Sequence, residues 1–291
     1  MPKPTILWSV AEIPQMRSVN VSRPSKGPYE NSLMSKLDAE KLLANSYLEE
    51  IDATIEIRRS YNNIVVARAG ILMSTLSDDK TARQNMQQAL KYKTVDPNIL
   101  YKSLLVQING VFENYIRNLV QIILEERFET VENYCNLEKN FRTNYITYAA
   151  RVLTYFKTGA VMGVSYNFDN LLTNLGKSLS GQKGYKLNPE VYTKLMGNCT
   201  ADRVENLFDA LTLPEPFSDA LGKNAQIKEH FKDSAKGRLA MRAKEKIDVQ
   251  IALRNNIVHG DLTLVVDLTK VRDTLSYFRA LISGLDEIVR T

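Results

Sequence analysis

The chain has 291 residues, 44% hydrophobic and 24% charged, enough for one large domain or one domain with an appended subdomain. It carries a formal charge of +5. No apolar run approaches the roughly 20 residues of a membrane span, and the first residues lack the apolar stretch of a secretory leader, so a cytoplasmic protein without membrane contact is expected. Its two cysteines, Cys135 and Cys199, and two histidines point to a reducing compartment and away from a zinc centre, so neither a metal nor a cofactor is expected.

Residues 1–33 contain five prolines and read as an irregular arm. A first helix starts at Ser35 or Asp38, with Leu37, Leu43/Ala44, Tyr47, Ile51 and Ile55 at helical spacing. A second is expected over 64–76, and Asp78-Asp79 is placed to cap a third over 81–92. Pro97 closes this block of 34–95. A long helix follows over 98–126, with Leu105, Ile108, Phe112, Ile116, Leu119 and Ile123 on one face. Further helices are expected over 145–156, over 171–179, from Pro189, and over 203–211. Pro214 and Pro216 then interrupt the chain. A helix over 236–259 ends at Gly260, 263–266 is a short apolar piece, and a last helix spans 268–289. Period-two alternation is rare, so the fold class is all-α. The division is an arm (1–33), an N-terminal helical block (34–95) and a helical domain (96–291).

The stretch Ile251-Ala252-Leu253-Arg254-Asn255-Asn256-Ile257-Val258-His259-Gly260-Asp261 is the most informative. At 100° per residue, Leu239, Ala243, Ile247, Ile251 and Val258 form one apolar stripe, and Arg254 falls inside it. A guanidinium there requires an anion, because an unpaired buried charge is expensive. Asn255 and His259 stand four residues apart, within reach of each other. Gly260 suits the left-handed residue that ends a helix, which puts His259 in the last turn. An arginine, an amide and an imidazole form a set able to hold and cleave a phosphodiester. The same residues also fit a structural role, with His259 capping the helix and Arg254 paired to a core glutamate. Arg254 and His259 lie about 140° apart around the axis, so two copies of the helix across a two-fold axis would gather a deeper site than one.

Residues 232–254 hold seven Lys/Arg against three Asp/Glu, a net +4. That local field suits a polyanion, and Arg238, Arg242 and Lys246 are expected to meet RNA phosphates; a solvated helix face accounts for the same charges. Elsewhere, Tyr145, Tyr148 and Tyr155 read as core aromatics. The 180–184 loop lacks the spacing and the preceding strand of a phosphate-binding P-loop.

Arg254-Asn255-Asn256-Ile257-Val258-His259 resembles the R-x4-6-H signature of the HEPN superfamily, including its polar residue after the arginine. The continuation His259-Gly260-Asp261, the segments 107–115 and 168–176, and the final helix resemble the RiboL-PSP and MAE-type branches over roughly 96–291. The resemblance implies a dimeric helical bundle and a metal-independent endoribonuclease of toxin–antitoxin or phage-defence type, with RNA as substrate and an antitoxin or defence protein as partner. It implies that Arg254 stabilises the scissile phosphate, that His259 transfers protons, and that Asn255 orients the histidine or touches the phosphate. Glu113 matches an acidic position on the early helix, where it either pairs with Arg254 or is a solvated glutamate on the edge of a core helix. Some toxin members carry a tyrosine two residues after the histidine. Here that residue is Asp261, expected to tune His259 or to weaken RNA binding. The alternative within the family is a non-catalytic module that binds RNA, nucleotide or a protein.

Overall fold

The computed structural model describes residues 28–61, 63, 79–91, 96–157, 168–194, 196–261 and 263–290. Among them are eleven α-helices and no strand: α1 (Pro28–Tyr61), α2 (Lys80–Lys91), α3 (Asn98–Thr130), α4 (Lys139–Lys157), α5 (Phe168–Leu179), α6 (Glu190–Thr193), α7 (Ala201–Ala210), α8 (Phe217–Lys223), α9 (Ala225–Phe231), α10 (Lys236–Val258) and α11 (Leu268–Arg290). The all-α class is as expected. Residues 1–27 of the expected arm and the helix expected over 64–76 lie outside the described residues.

The organising element is α3. Leu105, Ile108, Phe112, Ile116, Leu119 and Ile123 are all buried, as their spacing requires. Leu104, Tyr115, Val120, Ile122 and Leu124 are buried too, so apolar side chains cover more than one face. A helix of that kind lies inside a bundle rather than on it. α1 and α11 pack on α3 and on each other, and α10 packs on α3 from another side. Phe112 of α3 meets Phe278 of α11 with ring centroids 4.8 Å apart. Removing a fully buried ring of this kind costs about 3–5 kcal/mol, so the contact anchors α11 to the centre. The buried carboxylate of Asp286 takes Lys41 Nζ at 2.9 Å and Arg290 Nη2 at 2.9 Å. Two cations compensate its desolvation and tie α1 to α11.

α1 departs from its sequence reading in two ways. It begins at Pro28, a residue suited to a first turn because its missing N–H is not needed there. Its core side chains are Leu37, Ala44, Leu48, Ile51 and Ile55, whereas Leu43 and Tyr47 are 44% and 48% exposed. The stripe follows a heptad-like 7-4-3-4 spacing that admits Leu48 and leaves Leu43 and Tyr47 at its edge. Downstream, Asp79 caps α2 by accepting from Ala82 N at 2.9 Å.

Neither α8 nor α9, which lie between Pro216 and α10, is among the helices expected from the sequence. Each has seven residues, too few for an apolar period to declare itself. One residue punctuates both: Asn224 ends α8 and caps α9, its Oδ1 accepting from Ile227 N at 2.9 Å. α8 sits so close to the start of α10 that a Cβ on Gly222 would lie 2.6 Å from the Lys236 carbonyl. In the middle of the chain α4 packs on α5, α6 and α7, and the last two join this group to α3 and α10. α6 touches α3 and α4, and α7 touches α4, α8 and α10. Through this arrangement the loop between α6 and α7 reaches the end of α10.

Candidate active site

α10 ends as Gly260 predicts. Gly260 has φ +82°, Gly260 N donates to Ile257 O at 3.1 Å, and Asp261 N donates to Asn256 O at 3.0 Å. These two bonds are the Schellman pattern, which requires a left-handed residue that glycine adopts without strain. The following turn is fastened. Asp261 Oδ1 accepts from Thr263 N, Thr263 Oγ1 and Leu264 N, which holds its carboxyl below the usual carboxylate range. Lys102 of α3 donates to Asp261 O at 2.9 Å, and Asn98 holds Leu264 O and Val266 N. His259 therefore projects from a rigid helix end. Its ring is exposed and has no hydrogen-bond or ion-pair partner among the described residues. Asp261 works as a loop staple and is turned to Thr263 and Leu264, not to His259.

The wheel puts Arg254 inside the apolar stripe; in the structure it lies at the margin of the buried face formed by Leu239, Ala243, Ile247 and Ile251. Val258, expected in the same stripe, is 56% exposed, because no element among the described residues covers the last turn. The Arg254 side chain is 27% exposed. Its Nη1 donates to Asn255 Oδ1 at 3.0 Å and to Asn198 Oδ1 at 3.3 Å, and its Nη2 stands 3.8 Å from Glu113 Oε2. The glutamate expected from α3 is thus beside the arginine, although 3.8 Å is an ion-pair distance and no hydrogen bond. Glu113 Oε1 is buried with no hydrogen-bond partner among the described residues. Asn255 is spent on Arg254 and Asn198; its side chain does not bond the His259 ring. Arg254 and His259 diverge by about 140° and about 7.5 Å along the axis, and no bond joins them.

Three residues of this neighbourhood escaped the sequence reading. Asn198 belongs to the loop between α6 and α7. That loop is held by Arg117 of α3, which donates to Thr193 O at 2.8 Å, and by Arg203 of α7, which donates to Met196 O at 2.9 Å and Asn198 O at 3.3 Å. The loop turns at Gly197 (φ +57°). Beside it the Cys199 thiol is buried, and burial pushes it up to about 12, so Cys199 is a packing residue. Glu113 reinforces that shift, while Arg117, Arg203 and Arg254 oppose it. Three guanidiniums and one carboxylate therefore converge here. The Gly197-Asn198 pair is a turn signal, but its partner is more than fifty residues away in sequence.

The other expected cations sit elsewhere on α10. Arg238 is bidentate to Asp233. Arg242 shares Asp233 and lies over Phe231, 4.7 Å from the ring centroid. Lys246 bonds Asp273 at 2.7 Å and His230 Nε2 at 2.8 Å. They are paired within the chain, and the structure does not bring them to Arg254.

A family model described as RiboL-PSP-HEPN matches residues 72–291. The chain belongs to the RiboL-PSP-HEPN family. This is a family of the HEPN superfamily, whose members are commonly ribonucleases, and the match reaches from α2 to the end of α11. No curated protein and no solved structure matches the chain. Among the described residues no helix is long and apolar enough to cross a membrane, and no group of three or more His, Cys, Asp or Glu side chains is placed to hold a metal ion.

Proposed function

We propose that this HEPN chain is a metal-independent endoribonuclease, acting as a homodimer in the cytoplasm in a toxin or phage-defence setting with an antitoxin or defence protein as partner. The observation that carries the reading is the contrast within six residues: Arg254 is held at the core margin by two neutral amides, and His259, at a pinned helix end, has no partner among the described residues. In the reaction the ribose 2′-oxygen attacks the adjacent phosphorus as its proton passes to a base. The P–O5′ bond breaks, and the leaving oxygen takes up a proton. The products are a 2′,3′-cyclic phosphate and a 5′-hydroxyl. His259 serves the proton transfers, Arg254 stabilises charge on the phosphoryl oxygens, and Asn255 with Asn198 fixes the guanidinium. Because the pair diverges on one helix, the site is composed from two protomers, with the exposed last turn around Val258 in the contact.

The test is incubation of the full chain with total RNA, with and without EDTA, and with an oligonucleotide carrying 2′-deoxyribose at the cleaved position. Cleavage is expected to persist in EDTA and to stop on the deoxy substrate, and light scattering should report a two-fold mass. Cleavage by a strict monomer would sink the composite site. The second reading is a non-catalytic RNA-binding module, favoured by the Arg254–Glu113 pair, which supplies the arginine with an anion of its own. Tight RNA binding without cleavage would select it.

A further inference from the structure

A groove of about 650 Å³ runs between α4 and α7. On the α4 side it is lined by Tyr148, Arg151 and Tyr155, which share one helix face by their i, i+3, i+7 spacing. On the α7 side it is lined by Arg203 and Asp209. The sequence reading put Tyr148 and Tyr155 in the core with Tyr145. Only Tyr145 is there. Tyr148 is half-buried and Tyr155 is 48% exposed. Tyr148 is backed by the buried ring of Tyr192, centroids 4.9 Å apart, so its plane is fixed before anything binds. The Arg151 guanidinium lies 5.4 Å from the Tyr148 ring centroid. Neither Arg151 nor Arg203 has a carboxylate partner among the described residues. Among the described residues Asp209 is the one acid that lines the groove with these two cations.

Flat aromatic faces beside guanidiniums, with a surplus of positive charge, match the two features a single nucleic-acid strand offers: unstacked bases and a phosphate backbone. A duplex hides its base faces and cannot use the tyrosines. The groove also connects to the candidate active site through one residue. Arg203 Nη1 donates to the Asn198 carbonyl at 3.3 Å, while Arg254 Nη1 donates to the Asn198 side chain at 3.3 Å. A strand whose phosphate lies at Arg254 has its next stretch directed to Arg203 and from there into the groove.

We infer that the α4–α7 groove binds the single-stranded RNA that flanks the scissile phosphate, with bases stacked on Tyr148 and Tyr155 and phosphates on Arg151 and Arg203. Its relation to a scissile bond rests on the nuclease reading above; its capacity to bind a strand does not. The test uses full-length His259→Ala protein and a short fluorescent single-stranded RNA, read by anisotropy across a salt series. Tyr155→Ala is expected to weaken binding roughly ten-fold, the scale of one lost base–aromatic stack. Arg151→Gln is expected to reduce the slope of log affinity against log salt by about 0.7, one phosphate contact to a single strand. A duplex of the same sequence should compete poorly. Unchanged binding by both Tyr155→Ala and Arg151→Gln, with circular dichroism showing them folded, overturns the groove, as does equal binding of duplex. A wild-type chain that needs the groove to bind yet cuts no RNA removes the nuclease reading and leaves the groove. Cleavage by wild type with groove variants binding normally does the reverse, and no binding of RNA by the full chain removes both.

Discussion

The two ends of α10 carry similar residues in opposite circumstances. Near its start, Arg238 and Arg242 share Asp233, and Lys246 lies between Asp273 and His230. About 24 Å further along the axis, Arg254 is met by two neutral amides and a carboxylate at 3.8 Å, and His259 has no partner among the described residues. Residues 232–246 hold six Lys/Arg against two Asp/Glu, a net +4, whereas residues 247–261 hold Arg254 alone against Asp248 and Asp261. The lesson is that charge count and available charge differ. A cation already matched by a carboxylate gains little from a phosphate, whereas donors held in place by amides retain theirs for an incoming anion.

The largest expected effect tests this contrast directly. His259→Ala should lower the rate of RNA cleavage by roughly 10²–10⁴, the range for loss of a general acid or base, and Arg254→Ala by roughly 10²–10³ or more through lost charge stabilisation. Arg238→Ala and Lys246→Ala should stay within a few-fold of wild type in the same gel assay. An equal loss at both ends of α10 would break the comparison.

A smaller effect sharpens it. Replacing Asp233 by Asn frees Arg238 and Arg242 without changing shape. Single-stranded RNA binding should then depend more steeply on salt, by about 0.7 in log–log slope for each cation that reaches a phosphate. A slope identical to wild type would mean that this end of the helix never faces RNA.

The smallest effect concerns stability. Burial, with help from Lys246 and Arg242, holds His230 below the ordinary histidine range, against Asp273. The folded protein therefore keeps His230 neutral while the unfolded chain takes up a proton below about pH 6.5. Stability is then complete above that value and declines as the pH falls toward the folded pKa. A modest fall in the urea midpoint between about pH 7 and pH 5 is expected for wild type, and His230→Gln should flatten it. A variant with the same pH profile would place the titration at another group.

Within the sequence, the helices long enough to show a period were legible: α3 buries the residues its spacing selects, α10 buries Leu239, Ala243, Ile247 and Ile251 of its stripe but not Val258, and Gly260 ends α10 as its missing Cβ allows. The Arg254–His259 signature was legible for the same reason, since both residues lie on one helix whose geometry is local. Tertiary structure decided the rest. α8 and α9 exist because Phe217, Leu221 and Ile227 are buried against their neighbours, an energy no seven-residue window contains. Whether Tyr148 and Tyr155 belong to the core or to a groove depends on how α7 approaches α4. Whether Arg238 is an open cation depends on Asp233 folding back on it. Asn198 and Arg203 join Arg254 because the α6–α7 loop crosses the end of α10. Local spacing determines which face a residue occupies, but the partner that satisfies a polar group comes from another part of the chain, and only folding brings it there.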